Sequence, residues 1–252
     1  MGALTMVYLN KSIKASCLAA AMSLVPALTN AQSYDWEGFY AGATLGAAMF
    51  SVEASDQTDT FTNDLPELEL MVASYGLSAN YKWSPYNDNL ILGAELDVTF
   101  GHESNETVSF NEDGSDGIKF TNSWDTVISL RARAGVTNGK MHSYVAGGPA
   151  FANASFSVKD LDPNETGDCG EVLTCAEVTE TLTGISIGAG MEYAFRDDWI
   201  GKFEFVHYAM PTTQAPIFDG EFPTCGVADG DECTVSFDNS STLFRFGISY
   251  KF

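Results

Sequence analysis

The sequence predicts an all-β protein, an eight-stranded antiparallel transmembrane β-barrel with four long extracellular loops and three short periplasmic turns. Three observations predict this fold class. The chain begins with an export signal, it contains eight segments in which apolar and polar residues alternate, and it lacks any later apolar run long enough for a transmembrane helix. Long and short connections alternate between the eight segments, which is typical of outer-membrane barrels.

Residues 1–31 have the form of a secretory signal peptide. Two lysines precede the apolar run 15–28, and small residues follow it, so that cleavage is expected after Ala31. The alternative is an amino-terminal membrane anchor, but the run is too short to cross a bilayer as a helix. We therefore expect a signal peptide and a single barrel domain, 32–252.

The first four strands are predicted where aliphatic and aromatic residues share one face and Gly, Ser, Thr and charged residues share the other. Their approximate ranges are 39–50, 69–82, 90–100 and 124–136. Long polar segments, 51–68 and 102–121, follow the first and third strands. A short turn with a proline follows the second strand, and Asn138-Gly139, a strong hairpin signal, follows the fourth.

The last four strands repeat the scheme. Their approximate ranges are 142–156, 185–195, 199–210 and 243–252. The fifth strand is the least regular, because Gly147-Gly148-Pro149 lies in its middle and predicts a bulge there. Long loops are predicted at 157–179 and 211–238, and a short turn joins the sixth and seventh strands.

The last strand carries a face that is aromatic up to the final residue. A soluble sheet buries its apolar face inside, whereas a transmembrane barrel presents that face to lipid. An amphipathic strand that ends on Phe also resembles the signal by which the barrel-assembly machinery recognises outer-membrane proteins. The residues of this signal are Phe246, Ile248, Tyr250 and Phe252.

Aromatic residues cluster at both ends of the predicted strands, as expected where rings lie at the level of the lipid headgroups. At the turn ends these are Trp36, Tyr81, Trp83, Tyr144, Tyr193, Phe195, Trp199, Tyr250 and Phe252. At the loop ends they are Phe50, Phe100, Trp124, Phe156 and Phe244. Two girdles favour a membrane barrel over a soluble ligand-binding barrel. The predicted location is the bacterial cell outer membrane.

Charges of both signs lie on the polar faces of the strands, in near balance. The set comprises Lys82, Glu95, Asp97, Asp125, Arg131, Arg133, Glu192, Lys202, Glu204, Arg245 and Lys251. Buried charges must be paired, and an eight-stranded barrel has little room for a water column. We therefore expect a salt-bridged lumen in which the third-strand carboxylates face the fourth-strand arginines. A narrow ion path through the same charges is the alternative.

Nearly all other charge is acidic and lies in the predicted loops, and the full chain has a net charge of −22. Nucleic acid binding requires a basic surface, so this charge argues against it. Lys119 and Lys159 alone oppose the loop acids. Carboxylates suit divalent cations, which are therefore candidate partners of the loops, although Asp229-Gly230-Asp231 lacks the full spacing of a calcium loop. No motif indicates a cofactor.

Four cysteines remain after removal of the predicted signal peptide, which contains Cys17. In an oxidising compartment an even number suggests disulfides, although three pairings are open. The pairs that are close in sequence are Cys169–Cys175 and Cys225–Cys233. A zinc site is the alternative, but no histidine lies near either pair.

The three histidines offer little for catalysis. His102 is predicted in a loop and His142 at a turn, which leaves His207, near the predicted rim, as a candidate base. No nucleophile motif accompanies it, and we expect no enzyme.

Several short motifs occur in a fixed order along the mature chain. The first three are Trp36-Glu37-Gly38-Phe39-Tyr40-Ala41-Gly42, Gly93-Ala94-Glu95-Leu96-Asp97 and Arg131-Ala132-Arg133-Ala134-Gly135. Further segments, 144–150, 188–193 and 202–205, follow in later strands. Together they resemble the small outer-membrane immunogenic, porin-like proteins of alphaproteobacteria, a family related in architecture to OmpA-like eight-stranded barrels.

This resemblance implies a surface-exposed, antigenic, structural outer-membrane protein without enzymatic activity. It implies nothing about the loops, because acid-rich loops with cysteine pairs are not a general feature of that family. We therefore expect a structural barrel with a largely plugged lumen, whose acidic loops mediate surface interactions and whose lipid partners include lipopolysaccharide. The alternatives are a small porin or ion channel, an adhesin with a specific host ligand, and a lipid-acting enzyme.

Overall fold

The computed structural model describes residues 34–56, 67–86, 89–101, 104–110, 117–161, 175–218 and 234–252, which form ten β-strands. In chain order these are β1 Gly38–Asp56, β2 Glu67–Trp83, β3 Leu90–Phe100, β4 Ser104–Phe110, β5 Gly117–Asn138, β6 Met141–Leu161, β7 Cys175–Ala194, β8 Trp199–Ala209, β9 Thr213–Phe218 and β10 Thr234–Lys251. Within these ranges, no helix has the length and apolar character to cross a membrane. The predicted signal peptide lies outside the described residues.

Eight of the ten strands pair in a closed antiparallel ring. The order is β1, β2, β3, β5, β6, β7, β8 and β10, and β10 pairs with β1 to complete the circle. In this closing pair Tyr40 lies opposite Lys251, and Leu45 lies opposite Phe246. Closure removes the free strand edges that a bilayer does not tolerate. The predicted all-β fold and its ring of eight strands are confirmed.

Several strands continue well past the length needed to cross a bilayer. β5 and β6 have 22 and 21 residues, whereas a tilted transmembrane strand needs roughly 9 to 11. Parts of the segments predicted as loops are therefore strand, including β4 and β9. β4 pairs with β5, and β9 pairs with both β7 and β10 beyond the end of β8. The end of the ring with the three short turns is called the turn end below, and the opposite end is called the loop end.

The bulge predicted at Gly147-Gly148-Pro149 is wrong in position. The register between β6 and β7 is continuous through these residues. The register shift lies instead between β5 and β6, at Trp124 to Val127. The central glycine of the triplet has a different role, because a Cβ atom there would lie 2.0 Å from the carbonyl oxygen of Leu130. It allows β6 to approach β5 closely.

The outward side of the ring is apolar. In β10, for example, Phe246 is 66% exposed whereas the preceding residue, Arg245, is 1% exposed. Other outward-facing apolar side chains are Leu45, Met71, Tyr75, Leu77, Leu96, Leu130, Ile185 and Ile187. This continuous exposed belt is the surface that a barrel presents to hydrocarbon.

Three aromatic residues that the sequence placed in the girdles lie inside the ring. Trp36, Tyr144 and Phe156 are 2%, 4% and 1% exposed. Two of them belong to β6, whose even-numbered residues face inward. The sequence did not predict this facing, because small residues occur on both faces of the strand. The side chains of Phe50 and Trp124 lie outside the described ones. Most of the remaining turn-end aromatic residues are exposed, namely Tyr81, Trp83, Tyr193, Phe195, Trp199 and Phe252.

Candidate functional site: the barrel interior

Nine charged side chains from six strands meet inside the ring, each no more than 4% exposed. They are Lys82, Glu95, Asp97, Arg131, Arg133, Glu192, Lys202, Glu204 and Arg245. We call this set the lumen network. Five members are cationic and four are anionic, so the described network carries one more positive than negative charge. All nine belong to the set that the sequence predicts.

Glu95 lies at the centre of the lumen network. It is the Cα partner of Arg131 in the β3–β5 pair, and the Arg131 guanidinium donates to its Oε1 atom. Arg133 donates to the other carboxylate oxygen at 2.7 Å, and Lys202 Nζ lies 3.6 Å from that same oxygen. Charge-assisted hydrogen bonds of this kind are the strong ones in proteins. Glu95 therefore contacts both arginines of the neighbouring strand.

Arg245 joins a second group that crosses the ring. Its guanidinium donates to Asp97 Oδ1 at 3.0 Å and to Glu204 Oε2 at 2.6 and 2.8 Å. Asp97 has the predicted ion pair with Arg131, with its Oδ2 atom 3.8 Å from the guanidinium, and a closer contact that was not predicted, 2.9 Å to Arg245. Thr99 accepts a further hydrogen bond from Arg245 at 3.1 Å.

Glu192 organises a third group nearer the turn end. Its carboxylate lies 2.5 Å from Lys82 Nζ and 2.8 Å from both Arg133 Nη2 and His142 Nδ1. The guanidinium of Arg133 stacks over the ring of Tyr144 at 3.6 Å. This cluster links β2, β5, β6 and β7 through a single carboxylate.

Of the two remaining predicted members, Lys251 lies outside the network and Asp125 stays a prediction. Lys251 lies at the turn end, where its ammonium group is 3.0 Å from the carboxylate of Asp35. Burial acts to raise the pKa of Asp35, but the hydrogen bond from Lys251, the hydrogen bond from the Glu37 amide and the charge of Lys251 together lower that pKa below its usual value. The side chain of Asp125 lies outside the described ones, and its backbone falls within the β5–β6 register shift.

Sequence reasoning missed two polar side chains of the interior. His142, placed at a turn from the sequence, is 1% exposed, and Tyr144 donates to Glu204 at 3.0 Å. Gly135 leaves room for the imidazole, because a Cβ atom there would lie 2.5 Å from His142 Nε2. The signal in the sequence for both residues was their even-numbered position in β6, since the even-numbered residues of this strand face inward.

Apolar layers lie on both sides of the lumen network. Toward the loop end, Phe156 and Phe237 stack with ring centroids 5.1 Å apart. Around them pack Val127, Ala150, Ala152, Ala154, Val158, Leu182, Val206, Tyr208, Met210, Ala215, Val235 and Leu243. The turn-end layer is smaller and consists of Trp36, Tyr40, Ile91, Ala194 and Ile200. The charges are thus enclosed between two groups of buried apolar side chains.

The four residues 34–37, which we call the amino-terminal cap, close over the turn-end layer. Three of them hydrogen-bond to three different turns. Tyr34 donates to the carbonyl of Asp197 at 2.7 Å, Trp36 donates to that of Gly139 at 3.1 Å, and Glu37 accepts from the amide of Ser84 at 2.8 Å.

Two further features belong to this cap. Partial burial raises the pKa of Tyr34 to about 12. Gly38 follows with a φ of 130°, a conformation that favours glycine, and so allows the cap to turn into β1.

Of the four cysteines in the predicted disulfides, only Cys175 is among the described residues, and most acidic positions of the predicted loops lie outside them. Cys175, at the start of β7, is buried and disulfide-bonded. Cys169, Cys225 and Cys233 lie outside the described residues, so the predicted pairing stays a prediction. Within the described ranges, no group of three or more His, Cys, Asp or Glu side chains is arranged to hold a metal ion.

His207, the candidate base, lies on the outward side of β8. Its Nδ1 atom is 2.9 Å from Thr242 Oγ1. The two residues are direct partners in the β8–β10 ladder, so ordinary cross-strand pairing explains the contact. His102 lies outside the described residues.

Known proteins resemble the chain over most of its length. It is 24% identical over 241 residues to the 31 kDa outer-membrane immunogenic proteins of Brucella melitensis and Brucella suis, with 90% of this chain and 88% of each relative covered. The outer membrane protein OprG from Pseudomonas aeruginosa has the same fold, with a TM-score of 0.50 at 12% identity over 88% of this chain and all of that one.

A family model, described as the outer membrane protein beta-barrel domain, matches residues 16–252. That match includes every strand of the ring and every member of the lumen network. The chain therefore belongs to the outer membrane protein beta-barrel domain family, and its location is the outer membrane.

Proposed function

We propose that this protein is a structural barrel with a closed lumen that anchors acidic, surface-interacting loops in the outer membrane. One observation carries the proposal: the lumen network is buried between two apolar layers. Ion conduction requires a continuous polar path, and the stacked Phe156 and Phe237 interrupt such a path at one end. The amino-terminal cap supports the same conclusion at the other end.

The energetics of the network also favour a closed lumen. An ion that passed through would have to displace paired side chains such as Arg245 and Glu204. Breaking a buried, hydrogen-bonded pair costs about 3 to 5 kcal/mol. A lumen held by several such pairs is expected to resist opening by thermal motion.

Conductance of refolded protein in planar lipid bilayers tests the proposal. We expect no steady current above that of the lipid alone. Two variants serve as probes: Lys202→Gln removes a lumen charge, and Lys140→Gln removes the same charge at a turn. A steady wild-type current that changes in the first variant and not in the second would refute the closed lumen.

A narrow ion channel is the second candidate. It is favoured by buried polar atoms for which the described part offers no hydrogen-bond partner, among them Ser78 Oγ, Ser129 Oγ and Lys202 Nζ. Such atoms suit bound water. A current with ion selectivity that depends on Lys202 would support this candidate.

We propose that the protein has no enzymatic activity. His142 is held by Glu192 in the lumen, and the contact between His207 and Thr242 is a ladder pair. Hydrolysis of phospholipid by purified protein is expected to be absent. Hydrolysis that His207→Ala and Thr242→Ala both abolish would contradict this expectation.

The acidic loops are proposed to mediate contacts at the cell surface. Residues 162–174 and 219–233, which lie within the long loops predicted at 157–179 and 211–238, can be replaced by short Gly-Ser linkers while every described strand is retained. Because this replacement removes Cys169, Cys225 and Cys233, it is combined with Cys175→Ala, whose disulfide partner is lost. Loss of cell or matrix binding in such a variant would identify an adhesin with a specific host ligand. Binding that requires added Ca²⁺ would support the prediction of divalent cation sites in these loops.

The last strand is proposed to be the signal for the barrel-assembly machinery. Phe252 is 74% exposed at the end of the ring, and its ring lies against Phe39 and Tyr250, with centroids 5.9 and 5.0 Å apart, outside the buried layers of the interior. Phe252→Ser is expected to lower the amount of assembled protein in cells without lowering the stability of protein refolded in vitro. Equal amounts of assembled protein would contradict the signal role.

A further inference from the structure

His142 is a buried titratable side chain that lies against the amino-terminal cap. It is 1% exposed, and its ring contacts those of Trp36 and Tyr144, with centroids 5.2 and 5.4 Å apart. Trp36 is the cap residue that belongs to the turn-end layer, where it is 2% exposed. The imidazole is therefore part of the surface on which the cap packs.

The two nitrogens of His142 have different surroundings. Nδ1 is 2.8 Å from Glu192 Oε2, and because an ionised carboxylate only accepts hydrogen bonds, Nδ1 carries the hydrogen of the neutral ring. Nε2 is buried and has no hydrogen-bond partner in the described part of the chain, and a Cβ atom at Gly135 would lie 2.5 Å from it. A proton added at Nε2 would therefore become a buried donor without an acceptor, which is unfavourable.

The charges around the imidazole also oppose its protonation. Glu192 is the anion that the imidazole itself contacts, and Lys82 Nζ and Arg133 Nη2 already bind that carboxylate at 2.5 and 2.8 Å. A protonated His142 would be a third cation on one carboxylate. The titratable and charged groups on the surrounding elements are Tyr40 of β1, Lys82 of β2, Glu95 of β3, Arg133 of β5, Tyr144 of β6, Glu192 of β7, Lys202 of β8, which is the ladder partner of Glu192, and Tyr34, Asp35 and Glu37 of the cap.

We propose that His142 is an acid-sensitive latch for the amino-terminal cap. At neutral pH the uncharged imidazole keeps its hydrogen bond to Glu192 and its ring contact with Trp36, and the cap stays closed. When the cap leaves, water reaches Nε2, so the open form accepts a proton that the closed form does not accommodate. Acid therefore favours release of the cap. The ordinary pKa of histidine, about 6.5, places this change in mildly acidic solution.

The latch acts at the turn end and leaves the ring intact. Residues 34–37 lie outside the strands, and β1 pairs with β10 from Tyr40 onward, so the cap can leave without a change in strand pairing. The described members of the loop-end layer around Phe156 and Phe237 include no histidine, so this layer stays packed at the same pH. Release of the cap thus gives access to the lumen network from one side, and the latch does not require ion conduction.

Hydrogen–deuterium exchange of the refolded chain without its predicted signal peptide tests the latch. Exchange of a peptide that covers the cap is measured about one pH unit above and one below the ordinary histidine pKa, and is corrected for the intrinsic pH dependence of exchange. Two variants cannot titrate at this position: His142→Gln keeps a donor for Glu192, and His142→Phe keeps a ring beside Trp36. His207→Gln, at the outward-facing histidine of β8, is the matched control.

Exchange at the cap of the wild type should rise about five- to tenfold from the higher to the lower pH, because the uptake of one proton favours opening by up to about tenfold per pH unit. The control should show the same rise, the two His142 variants should show none, and peptides of the loop-end layer should exchange equally at both pH values. The interval lies above the ordinary pKa of Asp35, 3.8, so the salt bridge to Lys251 stays formed. No rise in the wild type, a rise that persists in either folded His142 variant, a loss of the rise in the control, or an equal rise in the loop-end layer would each overturn the proposal.

Discussion

The two halves of the barrel interior are filled by opposite chemistry. Toward the turn end, the lumen network places nine charges in mutual contact, whereas toward the loop end Phe156 and Phe237 stack among aliphatic side chains. Burial of apolar surface stabilises a fold by roughly 25 cal/mol per Å². Burial of an ion first costs several kcal/mol, which only complete pairing offsets. The charged half therefore depends on every partner, and the apolar half depends mainly on filled volume.

The charged half also gives directional information that the apolar half lacks. Arg245 of β10 binds Asp97 of β3, which lies 148 residues earlier in the chain and across the ring. A guanidinium has a fixed fork of donors, so a strand in the wrong register would leave charges unpaired. We infer that the lumen network selects the register of the closed ring. The predictions below test this difference between the halves.

Arg131→Ala is expected to have the largest effect. It removes a donor to Glu95 and leaves Glu204 with one cation fewer, and loss of one partner of a buried pair costs about 3 to 5 kcal/mol. The temperature at which the folded band disappears in a gel-shift assay should fall markedly. Arg196→Ala, at an exposed turn, is the matched control. An unchanged melting temperature for Arg131→Ala would exclude a stabilising role for the network.

Phe156→Ala is expected to have the second largest effect. It should lower the free energy of unfolding by about 3 kcal/mol, because it leaves a cavity beside Phe237. The same gel-shift assay measures it. Phe151→Ala, on the outward side of the same strand, removes an equal side chain without opening the interior. A greater loss for Phe156→Ala than for Arg131→Ala would reverse the comparison and make apolar filling the main source of stability.

The sequence predicts facing well where residue type separates cleanly between faces. In the last part of β10, residues 244–249, apolar side chains face outward and Arg245, Gly247 and Ser249 face inward, so the facing of this part could be predicted. In β6 the small residues around Pro149 fit either face, and the inward positions of His142 and Tyr144 were missed. Period-two alternation carries information only when the two faces differ in chemistry.

Contacts within the site were predictable only between neighbouring strands. Glu95 faces β5 directly, so its arginine partners follow from strand order. The contact of Asp97 with Arg245 crosses the lumen, and its geometry depends on ring closure and strand tilt, which no local pattern encodes. The amino-terminal cap was missed for another reason, because residues 34–37 lie before the first alternating segment.

Trp36→Phe is a finer test at the turn end. It keeps an aromatic ring in the apolar layer and removes the indole donor to Gly139, a loss of about 1 kcal/mol. Chemical denaturation monitored by the remaining tryptophans measures it. The control is Trp199→Phe, because the side chain of Trp199 is 37% exposed on the outer side of the ring. A change no larger than that of the control would show that the hydrogen bond of the cap does not stabilise the ring.

The salt bridge between Asp35 and Lys251 is expected to give the smallest effect, below about 1 kcal/mol, because it is largely exposed to solvent. The pKa of Asp35 in the folded protein lies below its ordinary value of 3.8. The salt bridge therefore contributes its full stabilisation above the ordinary pKa, and this stabilisation is lost as the pH falls through the lower pKa of the folded protein.

Denaturation of wild type and Asp35→Asn across this pH range isolates the pair, because all other carboxylates titrate in both proteins. The stability difference should be constant near neutral pH and should vanish in acid. A difference that persists in acid, where Asp35 is protonated, would mean that the effect of the substitution does not come from the charge of the carboxylate and therefore not from its ion pair with Lys251. In that case the turn end would depend on uncharged contacts, and only the enclosed lumen network would depend on charge.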